Sequence, residues 1–366
     1  MNANKEIYPL AYSIVDSENG ASWTWFLKRL ARHVFSDLPS ICIISDRHAG
    51  IDVAYNKLPE LQSSRVKRRF CLRHIRSNVM TRFKNSRLKG LVWEAGTAVT
   101  KNKFYSSMQS IQQYWPDAHN YLSAIEPEAW TLSHDGGHRY GIMTTNSFES
   151  FNNSLKGCRM LLVTAIARLT FHKLSTMFAD KRTSGQRMEA AGLHWPTNIC
   201  NELQKREQQS YNASIQRFND ANGLYVVALQ SGNISQGSET YVEVHLRSRT
   251  CKCGKWKTDG LPCAHVIAVC KYRRESYDSF VAKEYSIDNY KRSYAADFFP
   301  LDTDIQFTNQ VTCIPPLLGR RPNNPGQRQT RRFPNEMDFR TSTRRRCNYC
   351  LARTHTSTQC PNLNNQ

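Results

Sequence analysis

Long apolar runs are missing from this sequence. No stretch of about 18 consecutive apolar residues occurs, so no helix is expected to span a membrane. Met1 to Gly20 lacks a basic start followed by an apolar run, so no signal peptide is expected. No internal repeat is visible, which sets aside solenoids and propellers. Acids are also scarce: 30 Asp and Glu stand against 50 Lys and Arg, a net charge of +20. A surface short of carboxylates leaves its cations unneutralised, and nucleic acid is the commonest polyanion to meet them. What is present is ample apolar material, 40% of 366 residues, enough for a core in at least one of two or three domains. The 12 cysteines, in a chain with no secretory start, read as reduced thiols that either pack or ligate metal.

Along the chain, Ile7 to Val15 (IYPLAYSIV) reads as a strand and Asp16 to Gly20 as a turn. Ser22 is a cap for a helix from Trp23 to about Phe35, with Trp23, Phe26, Leu27, Leu30 and Val34 on one face. Ile41 to Ser45 reads as a second strand, giving a strand–helix–strand crossover and a parallel pair. Arg65 to Lys89 carries ten basic residues and no acid and is expected to be mostly helical. Trp93 to Tyr121 reads as helix broken near Pro116, Ser133 to Gly141 as a Gly/His loop, and Met143 to Phe171 as mostly helix. Residues 176–223 form a polar helical connector. Leu224 to Leu229 and Thr240 to Leu246 alternate apolar and polar and read as strands, with a helix from His265 to Tyr272. A C-terminal extension covers 276–314. Residues 315–346 hold five prolines and nine arginines against two acids and read as a disordered basic linker.

Cys251, Cys253, Cys263 and His265 form C-x-C-x9-C-x-H. Zinc takes four such ligands in a tetrahedron. Cys251 and Cys253 lie at a strand end, while Gly254 and Gly260-Leu261-Pro262 supply the turns that return the second pair. The pattern over 224–275 resembles the SWIM zinc finger, a small zinc-bound ββα module, down to Ala264 inside C-x-H. Cys270, a helical turn on, reads as packing. Cys347, Cys350, His355 and Cys360 form C-x2-C-x4-H-x4-C, the spacing of a zinc knuckle over 347–360, with Thr354 where glycine is usual. Metal would supply most of the folding energy of so small a unit. Tyr349 is a candidate for base stacking, and Arg344, Arg345, Arg346 and Arg353 for phosphate contact. Two zinc ions are therefore expected.

The first 175 residues resemble the Mutator-like (MULE) transposase domain of plants. The resemblance rests on IYPLAYSIVDSEN from Ile7, SWTWFL from Ser22, ISDRHAGI from Ile44, RRFCLRHIRSN from Arg68 and TTNSFESFN from Thr144. It implies an α/β, RNase H-like fold and chemistry in which three carboxylates hold two magnesium ions. On that resemblance Asp46 matches the second catalytic aspartate and Glu149 the third acid. The first would lie on a strand upstream of Ile7, where no aspartate stands; Asp16 ends a neighbouring stretch at a position the family does not use. The family also carries the Cys71/His74 pair, three residues apart on one expected helix face, as half of a metal site or as structural residues. His134, His138 and Cys158 are the candidates for its other half.

These readings lead to a zinc-binding, nucleic-acid-binding, nuclear protein derived from a transposase and catalytically inactive, with Mg2+ relevant only if the catalytic centre is completed. Arg68, Arg69, Arg73 and Arg76 are expected to meet DNA, and the tail and knuckle single-stranded nucleic acid. The competing expectations are an active transposase whose coding sequence is cut short at its start, and a module that binds a protein partner through the SWIM finger.

Overall fold

The computed structural model describes residues 1–145, 163–219, 223–229 and 241–299. Glu149, Cys158, the basic linker and the knuckle lie outside the described residues.

The chain enters without a strand. Ile7 to Val15 forms neither strand nor helix and pairs with nothing described, and Leu10, Tyr12, Ile14 and Val15 stay exposed. A strand-forming composition needs a neighbouring ladder, and none reaches it. Tyr8 instead packs against Phe178 and Tyr294, with ring centres 5.4 and 5.3 Å away. Helix α1 spans Gly20–His33, three residues earlier than expected, because Asn19 rather than Ser22 caps it. The Asn19 side chain accepts from the Ala21 and Ser22 amides. The expected face is the buried one: Leu27 and Ala31, with Trp23, Leu30 and Val34, pack on Ile41, Ile51 and Ala54.

Strand β1 (Ile41–Ser45) pairs in parallel with β2 (Val66–Phe70), Ile41 opposite Val66 and Ser45 opposite Phe70. Helix α2 (Ala49–Lys57) makes the crossover between them. The expected helix over Arg65 to Lys89 is thus corrected to strand β2, helix α3 (Leu72–Phe83), a turn with Lys84 at φ 49°, and the start of α4 (Leu88–Thr97). Helices α5 (Lys101–Tyr114), α6 (Pro116–Ser123) and the short α7 (Pro127–Trp130) follow. Pro116 breaks the run as expected, by opening a new helix where its missing N–H costs nothing. Thr100 opens another by accepting from the Lys103 amide. Leu72, Ile75, Val79, Leu88, Val92, Ile111, Leu122 and Trp130 form the core of this helical middle.

Helix α8 (Val163–Ala190) and α9 (Thr197–Gln209) lead to a four-stranded antiparallel sheet of order β3-β4-β5-β6. Its strands are Ala213–Asn219, Leu224–Leu229, Val242–His245 and Thr250–Cys251. The sheet begins at Ala213, inside the stretch read from sequence as a helical connector. Helices α10 (Lys255–Asp259) and α11 (Ala264–Arg273) complete the module, and α12 (Ile287–Ser293) packs back on α8 through Tyr290, Met188 and Phe178. No described helix is long and apolar enough to cross a membrane.

Candidate metal centre

Strand β6 ends on Cys251, and Cys253 follows after one residue. Gly254 then turns at φ 76°, a conformation that favours glycine, and an added Cβ there would meet the Val99 carbonyl oxygen at 2.7 Å. After α10, Gly260 turns at φ 70° and delivers Cys263 to the first position before α11, with His265 in the helix's first turn. The four ligand atoms lie within 4.8 Å of one another. Cys251 Sγ and Cys253 Sγ are 3.4 Å apart, and Cys263 Sγ and His265 Nδ1 3.8 Å. Zinc bonds of about 2.0–2.3 Å in a tetrahedron set such edges at roughly 3.5–3.8 Å. Cys251 and Cys263 are buried, Cys253 and His265 half-buried.

The donors fit a dication. Hydrogen bonds from Cys251 and Cys263 hold the Cys253 thiol far below its usual range. Cys251, donating to both neighbours and buried, is pushed far above it. Three thiols this close cannot all ionise without a cation between them. Zinc would let all three bind as thiolates and release their protons. Cys270 stands outside this set, buried among Val266, Val269 and Trp256, and burial pushes its thiol up to about 12. Packing is its role, as its place on the helix suggested.

The sequence did not disclose what braces the ligand turn. Arg206 of α9, buried, donates to the Asp259 carboxylate and to the Leu261 and Pro262 carbonyls. The Tyr285 hydroxyl donates to the Asp259 carbonyl at 2.6 Å, and the Ala282 amide to the Gly260 carbonyl at 2.9 Å. Trp256 Nε1 donates to the Phe280 carbonyl at 3.1 Å. The turn between the two ligand pairs is thus fixed from outside the finger.

A closed set of three thiols and one imidazole on a sheet–helix frame defines a small structural zinc module. The SWIM zinc finger family model matches residues 225–274, and the MULE transposase domain model matches residues 1–78. No curated protein and no solved structure matches the chain. Residues 1–78 are thus similar to a MULE transposase domain and residues 225–274 to a SWIM zinc finger, with Cys251, Cys253, Cys263 and His265 gathered as the candidate metal centre of the latter.

Asp46 sits at the carboxyl end of β1, half-buried, and accepts the His48 amide at 3.2 Å, closing the turn into α2. Asp16 is exposed and accepts its neighbour's amide from Ser17. Among the described residues neither acid joins a cluster of metal-ligating groups. Cys71 is buried immediately before α3 and takes the Thr145 hydroxyl and amide, each at 3.4 Å. No third described ligand completes a cluster with it and His74. His134 bonds to Thr131 and Ser133 instead.

The expected basic helix divides between strand and helix. Arg68 and Arg69 lie on β2, not on a helix. Arg68 pairs with Asp52 and stacks on Tyr55 at 4.4 Å. Arg69 is buried and pairs with Asp135, whose carboxylate also accepts the Arg139 amide. A contact from Arg69 to DNA is therefore corrected to a structural role, because its charge is spent inside the fold. The absence of acids within this stretch does not leave it unneutralised, since Asp52 and Asp135 come from other elements. Arg76 of α3 lies over the Trp93 ring at 4.9 Å, and Arg73 is half-buried on the same helix. Arg344, Arg345, Arg346, Tyr349 and the ligands Cys347, Cys350, His355 and Cys360 lie outside the described residues.

Proposed function

We propose that this chain is a zinc-stabilised nucleic-acid-binding protein of the nucleus, descended from a Mutator-like transposase and without strand-transfer activity of its own. The observation that carries the zinc half is the Cys251/Cys253/Cys263/His265 set gathered within 4.8 Å inside the matched SWIM segment. The nucleic-acid half is supported by a net charge of +20 and by the transposase match. Asp46 and Glu149 are read as remnants of an RNase H-like centre; among the described residues Asp46 joins no cluster of metal-ligating groups. Mg2+ has a role only where a third carboxylate completes that centre. A knuckle at Cys347, Cys350, His355 and Cys360 would hold a second zinc, beside Tyr349 and Arg344 to Arg346 for single-stranded contact.

Metal analysis and a mobility shift together test this. Freshly purified protein should hold about two zinc ions per chain; Cys263→Ser should remove one and Cys350→Ser the other. Random duplex DNA should be retarded, with binding that weakens steeply as salt rises. Protein without zinc would end the first half. Protein that ignores nucleic acid at physiological salt would shift the reading to a SWIM-mediated protein contact. Magnesium-dependent strand cleavage lost in Asp46→Asn would show that the centre is alive.

A further inference from the structure

A connected ladder of rings runs from the end of β2 across the helical middle. The Arg47 guanidinium lies 5.6 Å from the Phe70 ring centre and 5.9 Å from that of Tyr121, and donates to the Tyr121 hydroxyl at 3.0 Å. Tyr121 meets Phe83 edge-on at 6.1 Å, Phe83 meets Trp115 at 6.5 Å, and Trp115 meets Tyr114 at 6.4 Å. Arg82 covers Tyr121 at 5.2 Å and Phe83 at 5.6 Å. Arg87 covers Tyr114 at 4.4 Å. Three arginines, Arg47 before α2 and Arg82 and Arg87 at the junction of α3 and α4, thus sit on one continuous aromatic support.

All three guanidinium groups belong to exposed residues, as do the neighbouring Lys84 and Lys89. Among the described residues none of these five makes an ion pair, whereas Arg68 and Arg69 are both neutralised by carboxylates. A guanidinium held on a ring has already given up much of its side-chain freedom, so meeting an anion costs it less. Such an array suits repeated charges better than a single carboxylate. The ring faces discriminate further. Proteins that grip single strands leave aromatic faces open for bases to stack upon. Here Tyr121, Phe83 and Tyr114 already carry guanidinium groups.

We propose that Arg47, Arg82 and Arg87, carried on the Tyr121–Phe83–Trp115–Tyr114 ladder, form a track for the phosphate backbone of duplex DNA. This rests on the nucleic-acid reading above. The contacts position the duplex and do not read its sequence.

The test uses the full-length, zinc-loaded protein with a random duplex and a single strand of equal length, by fluorescence anisotropy across a salt series. In the Arg47→Gln/Arg82→Gln/Arg87→Gln triple variant the duplex slope of log K against log salt should fall by about 0.9 for each phosphate that is no longer neutralised. Single-strand binding should change little. A triple Arg→Lys variant should keep most of the duplex slope, because the charges remain. If the triple Gln variant fails to fold, Lys84→Gln/Arg87→Gln/Lys89→Gln, confined to one exposed stretch, should lower the slope in its place. Duplex binding by wild type that survives either Gln variant with an unchanged slope overturns the track and leaves the nucleic-acid reading standing. Wild-type protein that binds no duplex removes both. Variants that stop binding polyglutamate but still bind duplex would assign the surface to an acidic protein instead.

Discussion

Cys71 stands where β2 hands over to α3, its amide donating to the Ser45 carbonyl at 2.7 Å. Burial, the largest single influence on its thiol, opposes ionisation. Hydrogen bonds from His74 and from the Thr145 hydroxyl and amide outweigh it and bring the thiol down to about 7, from 9.0. A folded-state value below the unfolded one means the unfolded chain binds more protons between those limits. The stabilisation is therefore complete above about pH 9 and lost as pH falls through 7. The stability gap between wild type and Cys71→Ala should widen by roughly 2–3 kcal/mol from pH 6 to pH 9.5. A gap that stays flat in denaturant titrations at the two pH values would show that Cys71 is a neutral packing residue. Gly254 makes a second point at this scale. Its left-handed turn and its approach to the Val99 carbonyl leave no room for a side chain. Gly254→Ala should cost about 1–3 kcal/mol and loosen zinc, because the residue directly follows Cys253. Equal thermal midpoints for the two proteins would contradict this.

Helix α9 presents Arg206 to the turn that carries Cys263, and Asp259 is its charged partner there. Removing one member of a buried pair leaves the other without compensation, at about 3–5 kcal/mol. Arg206→Met should therefore weaken zinc binding in competition with a chromophoric chelator, although Arg206 is no ligand. Unchanged zinc affinity would reduce the clamp to a surface contact. No sequence pattern marks this element, since an arginine in a polar helix reads as solvated and its partner is 53 residues away. The four SWIM ligands were legible because their spacing and flanking glycines encode the geometry locally. Strand β4 was legible as a strand, although LYVVAL is a short apolar run and not the apolar–polar alternation expected of it. Strand β2 was not, because Lys67, Arg68 and Arg69 leave no apolar alternation between Val66 and Phe70, and Asp52 and Asp135 neutralise Arg68 and Arg69 from other elements. Ile7 to Val15 misled in the opposite direction: its composition favours a strand, but pairing is a property of a neighbour.

The described molecule holds several separate cores, and this decides how it should come apart. The helical middle is built from Leu72 to Met143 and includes no residue of the finger. The finger's own core, Tyr225 to Cys270, includes the ligands Cys251 and Cys263. A small cluster joins Ile199 and Leu203 of α9 to Leu261, Val281 and Tyr285 around the ligand turn. Structural zinc contributes on the order of 10 kcal/mol to such modules at neutral pH, and two of its ligands, Cys251 and Cys263, lie inside the finger's core. Chelation should then release the finger first. Hydrogen exchange after treatment with a strong chelator should show amides of Leu224–Leu229 and Ala264–Arg273 losing protection. Those of Thr197–Gln209 should follow in part, because α9 loses its partners at Leu261 and Asp259. The amides of Leu72–Phe83 and Lys101–Tyr114 should stay protected. If the helical middle opened together with the finger, the approach of Gly254 to Val99 and of Gly137 to the Lys257 carbonyl would be coupling the two cores into one cooperative unit. If the finger kept its protection without metal, packing alone would hold the four ligands together, and zinc would be a passenger.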